Sequence, residues 1–274
     1  MTNLEFIERP TEPIASEQPF PWRTAGALYL ACIVGTFAIM PFTYSLMLQM
    51  KFPGIKFELI PLLMAVSIVV DAIFGLVFSA VAIGLGLWLG ARIGIGVPVL
   101  QGWGVAQENR PKLIPTIGLG ILSGVILGGI VLMSAIFVGG EVAGRGSQIV
   151  LPSPWEGFLA SIGAGIREEV WLRLGLMTFL TWLGTTVTRR TSPGTGLIWS
   201  ANFMATLAFA AMHLPQAMQL IGLSIPVVLF VFLGNGVPGL VFGWLYWRKG
   251  LLAAIVSHFF LDIVLKVVVP LIQR

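Results

Sequence analysis

Nine ionisable side chains lie inside long apolar stretches of this sequence, and they are the first candidates for chemistry. A charged group in hydrocarbon costs at least about 2.5–3.5 kcal/mol, so each one needs a reason to be there. Both histidines of the chain belong to this set. The nine residues are Asp71, Arg167, Glu168, Glu169, Arg173, His213, His258, Asp262 and Lys266.

The densest group is the adjacent pair Glu168 and Glu169, followed by Arg173 in a strongly helical segment. Glu169 and Arg173 are four residues apart, the spacing at which an acid and a base meet on one helix face. Glu168 is turned about 100° away, and the adjacent Arg167 does not face it well. An uncompensated carboxylate in a dry site suits a general base, although a purely structural ion cluster is the alternative.

The histidines repeat the four-residue spacing. His213 ends the run FAAMH, four residues after Phe209, so the two rings share a helix face. On its own such a histidine is more often a satisfied helix-end residue. His258 and Asp262 are also four apart and can hydrogen-bond side by side. Asp262 and Lys266 are separated in the same way, so a helix salt bridge is the structural alternative for Asp262.

Composition predicts a membrane protein. The chain is 57% hydrophobic and 10% charged, whereas soluble domains carry about 25% charged residues. Several apolar runs exceed the roughly 20 residues that cross hydrocarbon as a helix. Stretches of about 10 alternating residues, typical of a membrane β-barrel, are not found. We therefore expect an all-α, polytopic membrane helix bundle.

Breaks at charges and prolines predict seven or eight transmembrane helices. The second apolar run is long enough to be two segments, and the sixth is expected to break near its cluster of three glycines and Pro238. Glycines four residues apart in the third and sixth spans are assigned to packing within the bundle rather than to dimerisation. The predicted spans are 25–49, 58–91, 113–138, 157–183, 196–213, 219–247 and 251–272.

Loop cations predict the orientation. With seven spans, nine Lys and Arg residues fall on one side and four on the other, which places the amino terminus in the cytoplasm. At 1.5 Å per residue, Glu168 would lie about 22 Å deep, His213 about 25 Å, and His258 with Asp262 about 12–18 Å. These depths are compatible with one hydrated pocket between the fourth, fifth and seventh spans.

Residues 1–24 are predicted to be a short polar cytoplasmic tail, and residues 25–274 the transmembrane helical domain. The tail shows no basic, apolar leader pattern, so it is not expected to be a signal peptide. The lone Cys32 is assigned to packing. Net charge is +4, but the cations are scattered between apolar runs, so we expect a lipid bilayer and no nucleic acid as partner.

These motifs resemble those of the CAAX-protease and bacteriocin-processing family, the glutamic intramembrane endopeptidases. The family's EExxxR, FxxxH and HxxxN or HxxxD motifs correspond in order to Glu168–Arg173, Phe209–His213 and His258–Asp262. The resemblance covers residues 155–265 and includes the helix that precedes His258. The first 150 residues are similar only in being apolar.

The resemblance implies a role for each motif residue. Glu168 would activate a water for attack on a peptide carbonyl, with help from His213. His258 and Asp262 would stabilise the oxyanion, and Glu169 with Arg173 would hold the helix and the base in place. No cofactor and no metal are implied, although two histidines and two glutamates can in principle bind zinc.

Two departures from the family pattern stand out. Leu174 follows the motif arginine where many members have glycine, which here is delayed to Gly175. Asp262 stands where an asparagine would be the simpler oxyanion donor. An asparagine donates without needing a proton, whereas an ionised carboxylate repels an oxyanion. Asp262 could therefore be a neutral donor, a carboxylate that orients His258, or only the partner of Lys266, and we favour donation.

The sequence thus favours a peptidase that acts on a membrane-associated peptide or protein, in the plasma membrane of a prokaryote. Three alternatives remain: a catalytically idle partner-binding or immunity protein of the same fold, a proton-relaying transporter, and a zinc metallopeptidase. The transporter predicts inverted repeats, which are not seen, and the metallopeptidase lacks an HExxH motif. Substrate and oligomeric state stay open.

Overall fold

The computed structural model describes residues 19–50, 57–97, 113–137 and 149–272. These residues form an all-α bundle without strands. Seven of its helices are long and apolar enough to cross a membrane, so the chain is an integral multi-pass membrane protein. In chain order they are α1 (Trp22–Met47), α2 (Ile60–Ile93), α3 (Leu113–Phe137), α4 (Pro154–Val187), α5 (Thr195–Ile221), α6 (Ile225–Lys249) and α7 (Leu251–Ile272).

The long second apolar run is one continuous helix, so the described residues hold seven spans and not eight. α2 has a proline in its first turn and ends at Gly94, whose φ of 71° lies in the left-handed region that glycine adopts readily. Of the predicted tail, residues 1–18 lie outside the described residues, and α1 begins at Trp22.

The break expected in the sixth span is wrong, because α6 is continuous with Pro238 inside it. A proline removes one backbone donor, but transmembrane helices tolerate this where neighbouring polar groups bond the backbone. Asn235 Nδ2 donates to Val231 O at 2.8 Å, and Asn202 Nδ2 of α5 donates to Leu240 O at 2.9 Å. Side-chain donors thus support the backbone on both sides of the proline.

The boundary between the fifth and sixth spans also differs from the prediction. Residues Leu214–Ile221 form a short helix that continues α5, and α6 begins only at Ile225. Pro215 in the first turn of this short helix suits a helix start, where its missing N–H is not needed. His213 therefore lies at a junction between two helical segments, not at the end of a span.

α4 is the most buried span and packs against α1, α2, α5 and α7. Ser153 caps its start, since the serine side chain accepts from Glu156 N–H while the Glu156 carboxylate accepts from Ser153 N–H. Residues Val170–Met177 within α4 are π-helical. A second π-helical segment, Val264–Val268, lies in α7. Such segments are rare and occur frequently at functional sites.

The glycines at spacing four pack helices within the bundle, as expected. Gly120, Gly124 and Gly128 of α3 face the backbone and side chains of α7, where a Cβ would meet Val256, Ser257 O and Val264. Gly239 and Gly243 of α6 similarly lie against Thr206 and Asn202 of α5. These contacts hold α3 against α7 and α6 against α5, and both α5 and α7 carry residues of the candidate site.

Candidate active site

The predicted site residues come from three helices around the buried centre of the bundle. α4 supplies Glu168, Glu169 and Arg173, α7 supplies His258 and Asp262, and the junction in α5 supplies His213. The capped start of α4 and its close glycine contacts with α1 and α7 set the position of this helix along its own axis. They thereby bring the two glutamates level with His258.

Glu169 connects two of the expected motifs and is fully buried. Its Oε2 lies 3.2 Å from Arg173 Nε, the i,i+4 pair that the spacing predicted. Its Oε1 accepts a hydrogen bond from His258 Nδ1 at 2.9 Å, a contact between α4 and α7 that the sequence did not predict. This bond fixes the proton on Nδ1 and turns Nε2 towards the other side of the ring.

Glu168 lies next to that second ring nitrogen. Its Oε2 is 3.8 Å from His258 Nε2, too long for a direct hydrogen bond. The Glu168 side chain is 19% exposed, whereas that of Glu169 is 0% exposed. Of the two adjacent carboxylates, Glu168 is therefore the one with exposed side-chain surface, although its Oε2 is buried and has no hydrogen-bond partner.

Two phenylalanines enclose the histidine and the arginine. Phe242 of α6 stacks on His258 with ring centroids 4.9 Å apart, and Phe209 of α5 meets the same ring edge-on at 5.7 Å. The Arg173 guanidinium lies 5.4 Å from the Phe209 ring centroid and 6.0 Å from that of Phe242. Rings around a cation stabilise it and exclude water. Sequence reasoning missed Phe242, because it belongs to none of the charged motifs.

His213 is close to this group but separated from it by Phe209. The two rings are 5.0 Å apart, and His213 Nδ1 donates to Phe209 O at 2.9 Å. Within the described part of the chain, no ion pair joins His213 to a carboxylate. The bond to Phe209 O leaves Nε2 of His213 as the nitrogen available to a ligand or water.

Asp262 makes a different contact from the one its spacing to His258 suggested. Its Oδ2 lies 4.0 Å from His258 Nε2, beyond hydrogen-bond distance. The same oxygen accepts from Lys266 Nζ at 2.6 Å. Of the three roles open to Asp262, partner of Lys266 is the one whose contact is formed.

Arg167 and Asp71 form a pair on the far face of α4. Arg167 Nη2 lies 3.4 Å from Asp71 Oδ2 of α2, and its guanidinium is over the Trp171 ring. Gly75 of α2 leaves the space that the guanidinium occupies. Arg167 thus turns away from Glu168, as expected, and its partner is 96 residues distant in sequence.

A hydrogen-bonded pair supports the π-helical segment at its end. Thr178 Oγ1 donates to Arg173 O at 3.1 Å and lies 2.6 Å from Tyr246 OH of α6. Both side chains are almost fully buried. No sequence motif indicated this pair, because its partners are distant in the chain and neither is charged.

The histidines and carboxylates of the site are also residue types that bind metal ions. Within the described ranges, no three His, Cys, Asp or Glu side chains are grouped so that they would hold a metal ion. Glu169 already forms an ion pair with Arg173 and accepts a hydrogen bond from His258.

Comparison with known proteins gives one family. Residues 150–264 match the family model described as Type II CAAX prenyl endopeptidase Rce1-like. The matched segment contains all six predicted site residues, and it confirms the resemblance found in the sequence. The match implies CAAX-type intramembrane protease activity, exerted on membrane-associated substrates. No curated protein and no solved structure matches the chain.

Proposed function

We propose that this chain, whose residues 150–264 match the CAAX endopeptidase family, is a glutamic-type intramembrane endopeptidase. It hydrolyses a peptide bond in a membrane-associated peptide or protein, and we place it in the plasma membrane of a prokaryote. The observation that carries the proposal is the different setting of the two glutamates. Glu169 is enclosed by Arg173 and His258, whereas Glu168 is partly exposed beside His258 Nε2.

The chemistry follows from these positions. A water between Glu168 and the substrate attacks the carbonyl carbon and transfers one proton to the Glu168 carboxylate. The carbonyl oxygen becomes an oxyanion beside His258 Nε2, which donates to it when both ring nitrogens carry protons. The C–N bond then breaks, and Glu168 returns the proton to the leaving nitrogen. The products are a carboxylic acid and an amine.

The remaining residues hold this arrangement. Glu169 orients the His258 ring and neutralises Arg173, and Phe209 with Phe242 keeps water from the ring faces. His213, with its free Nε2 near Phe209, assists in holding the water. A water nucleophile in the membrane needs a hydrated cavity, so the partly exposed side of Glu168 marks where water and substrate enter.

The test uses purified protein in lipid nanodiscs with a library of membrane-anchored peptides. Wild type is expected to cleave at least one peptide, and Glu168→Gln to lower kcat by about 10²–10⁴-fold, the usual contribution of a general base. Glu58→Gln, at an exposed site before α2, is the matched control and keeps full activity. Activity should survive exhaustive chelation.

Three results would contradict the proposal. Equal turnover by Glu168→Gln and wild type would remove the glutamic mechanism. Stoichiometric zinc, lost together with activity and restored with it, would show a metallopeptidase. Tight binding of a membrane protein partner without cleavage of any peptide would show an idle member of the fold.

A further inference from the structure

Lys266 is an ionisable group inside the bundle that the proposed mechanism does not use. Its Nζ lies 2.6 Å from Asp262 Oδ2, and its side chain is 25% exposed against 5% for Asp262. The lysine stands in the π-helical segment of α7, two residues beyond the end of the family match at 264. It therefore lies outside the matched segment.

The same carboxylate oxygen connects Lys266 to the reacting centre. Asp262 Oδ2 is 4.0 Å from His258 Nε2, and an oxyanion bound to Nε2 would sit about 3 Å from that nitrogen. The oxyanion would thus form within about 7 Å of the Asp262 carboxylate, whose side chain is 5% exposed. Two negative charges so close repel each other strongly in a weakly polar interior.

The charges of the site balance only when Lys266 is included. In the intermediate of the proposed reaction Glu168 holds the proton from water and is neutral, so the negative charges are Glu169, Asp262 and the oxyanion. The positive charges are Arg173, the doubly protonated His258 and Lys266. Without the lysine, the site has one uncompensated negative charge both before and after the attack, and in the intermediate the new negative charge is the oxyanion beside Asp262.

We propose that Lys266 is an active-site positioning residue, which neutralises Asp262 so that the oxyanion can form at His258. This inference rests on the proposed peptidase function. It explains how aspartate is tolerated where an asparagine would be the simpler donor. The backbone of Lys266 packs closely against Gly157 of α4, and its ammonium lies 5.5 Å from the Phe42 ring of α1. The lysine is thus fixed relative to both α4 and α1.

The test compares Lys266→Met, Lys266→Arg, Asp262→Asn and the double variant Asp262→Asn/Lys266→Met. Cleavage is measured per folded molecule in nanodiscs. Lys266→Met is expected to lower kcat by about 10–100-fold with KM within about 2-fold, because the oxyanion exists only after substrate has bound. Lys266→Arg keeps the charge and most of the rate. The double variant regains the rate of Asp262→Asn, since both the charge and its compensation are gone.

A second measurement separates charge from structure. A membrane peptide with a phosphonate in place of the scissile amide imitates the intermediate with its oxyanion. The intact amide peptide represents the ground state, and its binding is measured in the Glu168→Gln background, where it is not cleaved. Asp262→Asn, which keeps Lys266, is expected to bind the phosphonate at least as tightly as wild type. Lys266→Met should weaken phosphonate binding about 10-fold or more without changing amide binding.

The outcomes distinguish this inference from the function on which it rests. Unchanged kcat and phosphonate affinity in folded Lys266→Met, with wild type active and Glu168→Gln inactive, would overturn only the role of Lys266. A loss of folded protein with normal turnover per folded molecule, rescued by Asp262→Asn, would show a structural salt bridge and likewise overturn it. Wild type that cleaves no peptide would remove both proposals. If Lys266→Met does not fold, weaker phosphonate binding by Asp262→Asn than by wild type would decide against the role.

Discussion

Glu168 and Glu169 are neighbours in sequence but have different surroundings. Glu169 is fully enclosed and contacts both Arg173 and His258, while Glu168 is partly exposed and has no direct hydrogen bond to His258. Removing one partner of a buried ion pair costs more than removing a partly solvated charge, because the remaining charge has no compensation. The same substitution at the two positions should therefore affect different properties.

Glu169→Gln is expected to destabilise the fold by about 3–5 kcal/mol, since Arg173 would remain buried without a carboxylate. Glu168→Gln, the matched control in the same helix, should change stability little and abolish turnover. Thermal unfolding in detergent, together with cleavage assays, measures both quantities. Similar losses of stability in the two variants would contradict the assignment of Glu169 as the structural carboxylate.

At the scale of elements, α3 and α7 are in close contact near the site. A Cβ on Gly124 would meet Ser257 O and the Cβ of Phe260, whereas a Cβ on Gly129, in the same helix, has no atom near it. Gly124 therefore sets the distance between α3 and the helix that carries His258 and Asp262.

Gly124→Ala should cost about 1–3 kcal/mol through overpacking and lower activity by shifting α7. Gly129→Ala is the matched control and should be neutral or slightly stabilising, because alanine favours helix over glycine. Thermal unfolding in detergent measures the stability of each variant relative to wild type. Equal stability would mean that α3 and α7 pack less closely than the structure shows.

The π-helical segment of α4 gives a second prediction at this scale. Thr178→Val removes the donor to Arg173 O and leaves Tyr246 OH buried without its partner, which should cost about 1–3 kcal/mol. Thr185→Val is the control, since the Thr185 hydroxyl donates to Thr181 O within its own helix. Adding Tyr246→Phe to Thr178→Val should recover part of the loss, because both polar partners are then absent. Strict additivity of the two losses would contradict the pairing.

At the scale of the whole molecule, the distribution of loop cations predicts a cytoplasmic amino terminus. The two ends of α4 must then face opposite sides, with residues 188–194 in the cytoplasm and Val150 outside. In a Cys32→Ala background, Val150→Cys should react with a membrane-impermeant maleimide on intact cells, whereas Thr191→Cys should react only in inverted vesicles. The reverse pattern would invert the orientation of the site.

Much of the architecture was predictable because hydrocarbon offers no partners for backbone N–H and C=O groups, so an apolar run that crosses it must be helical. Apolar runs near 20 residues must be helical spans, and seven were found where seven or eight were expected. The error lay in α6, where glycines and Pro238 suggested a break. The local sequence alone led us to expect that Pro238 would interrupt the helix. It does not show the side chains that bond the surrounding backbone, because some of them, such as Asn202, come from another helix.

By itself, the sequence indicated the candidate residues of the site and predicted which pairs share a helix face. Glu169 with Arg173 and Asp262 with Lys266 follow from a spacing of four and the pitch of a helix. Only the tertiary structure decided that His258 bonds Glu169 and not Asp262, and that Arg167 pairs with Asp71. Contacts between helices depend on how each helix is rotated and shifted against its neighbours. The packing of glycines and the capping of α4 set that position, and the spacing of charged residues along the chain does not reveal it.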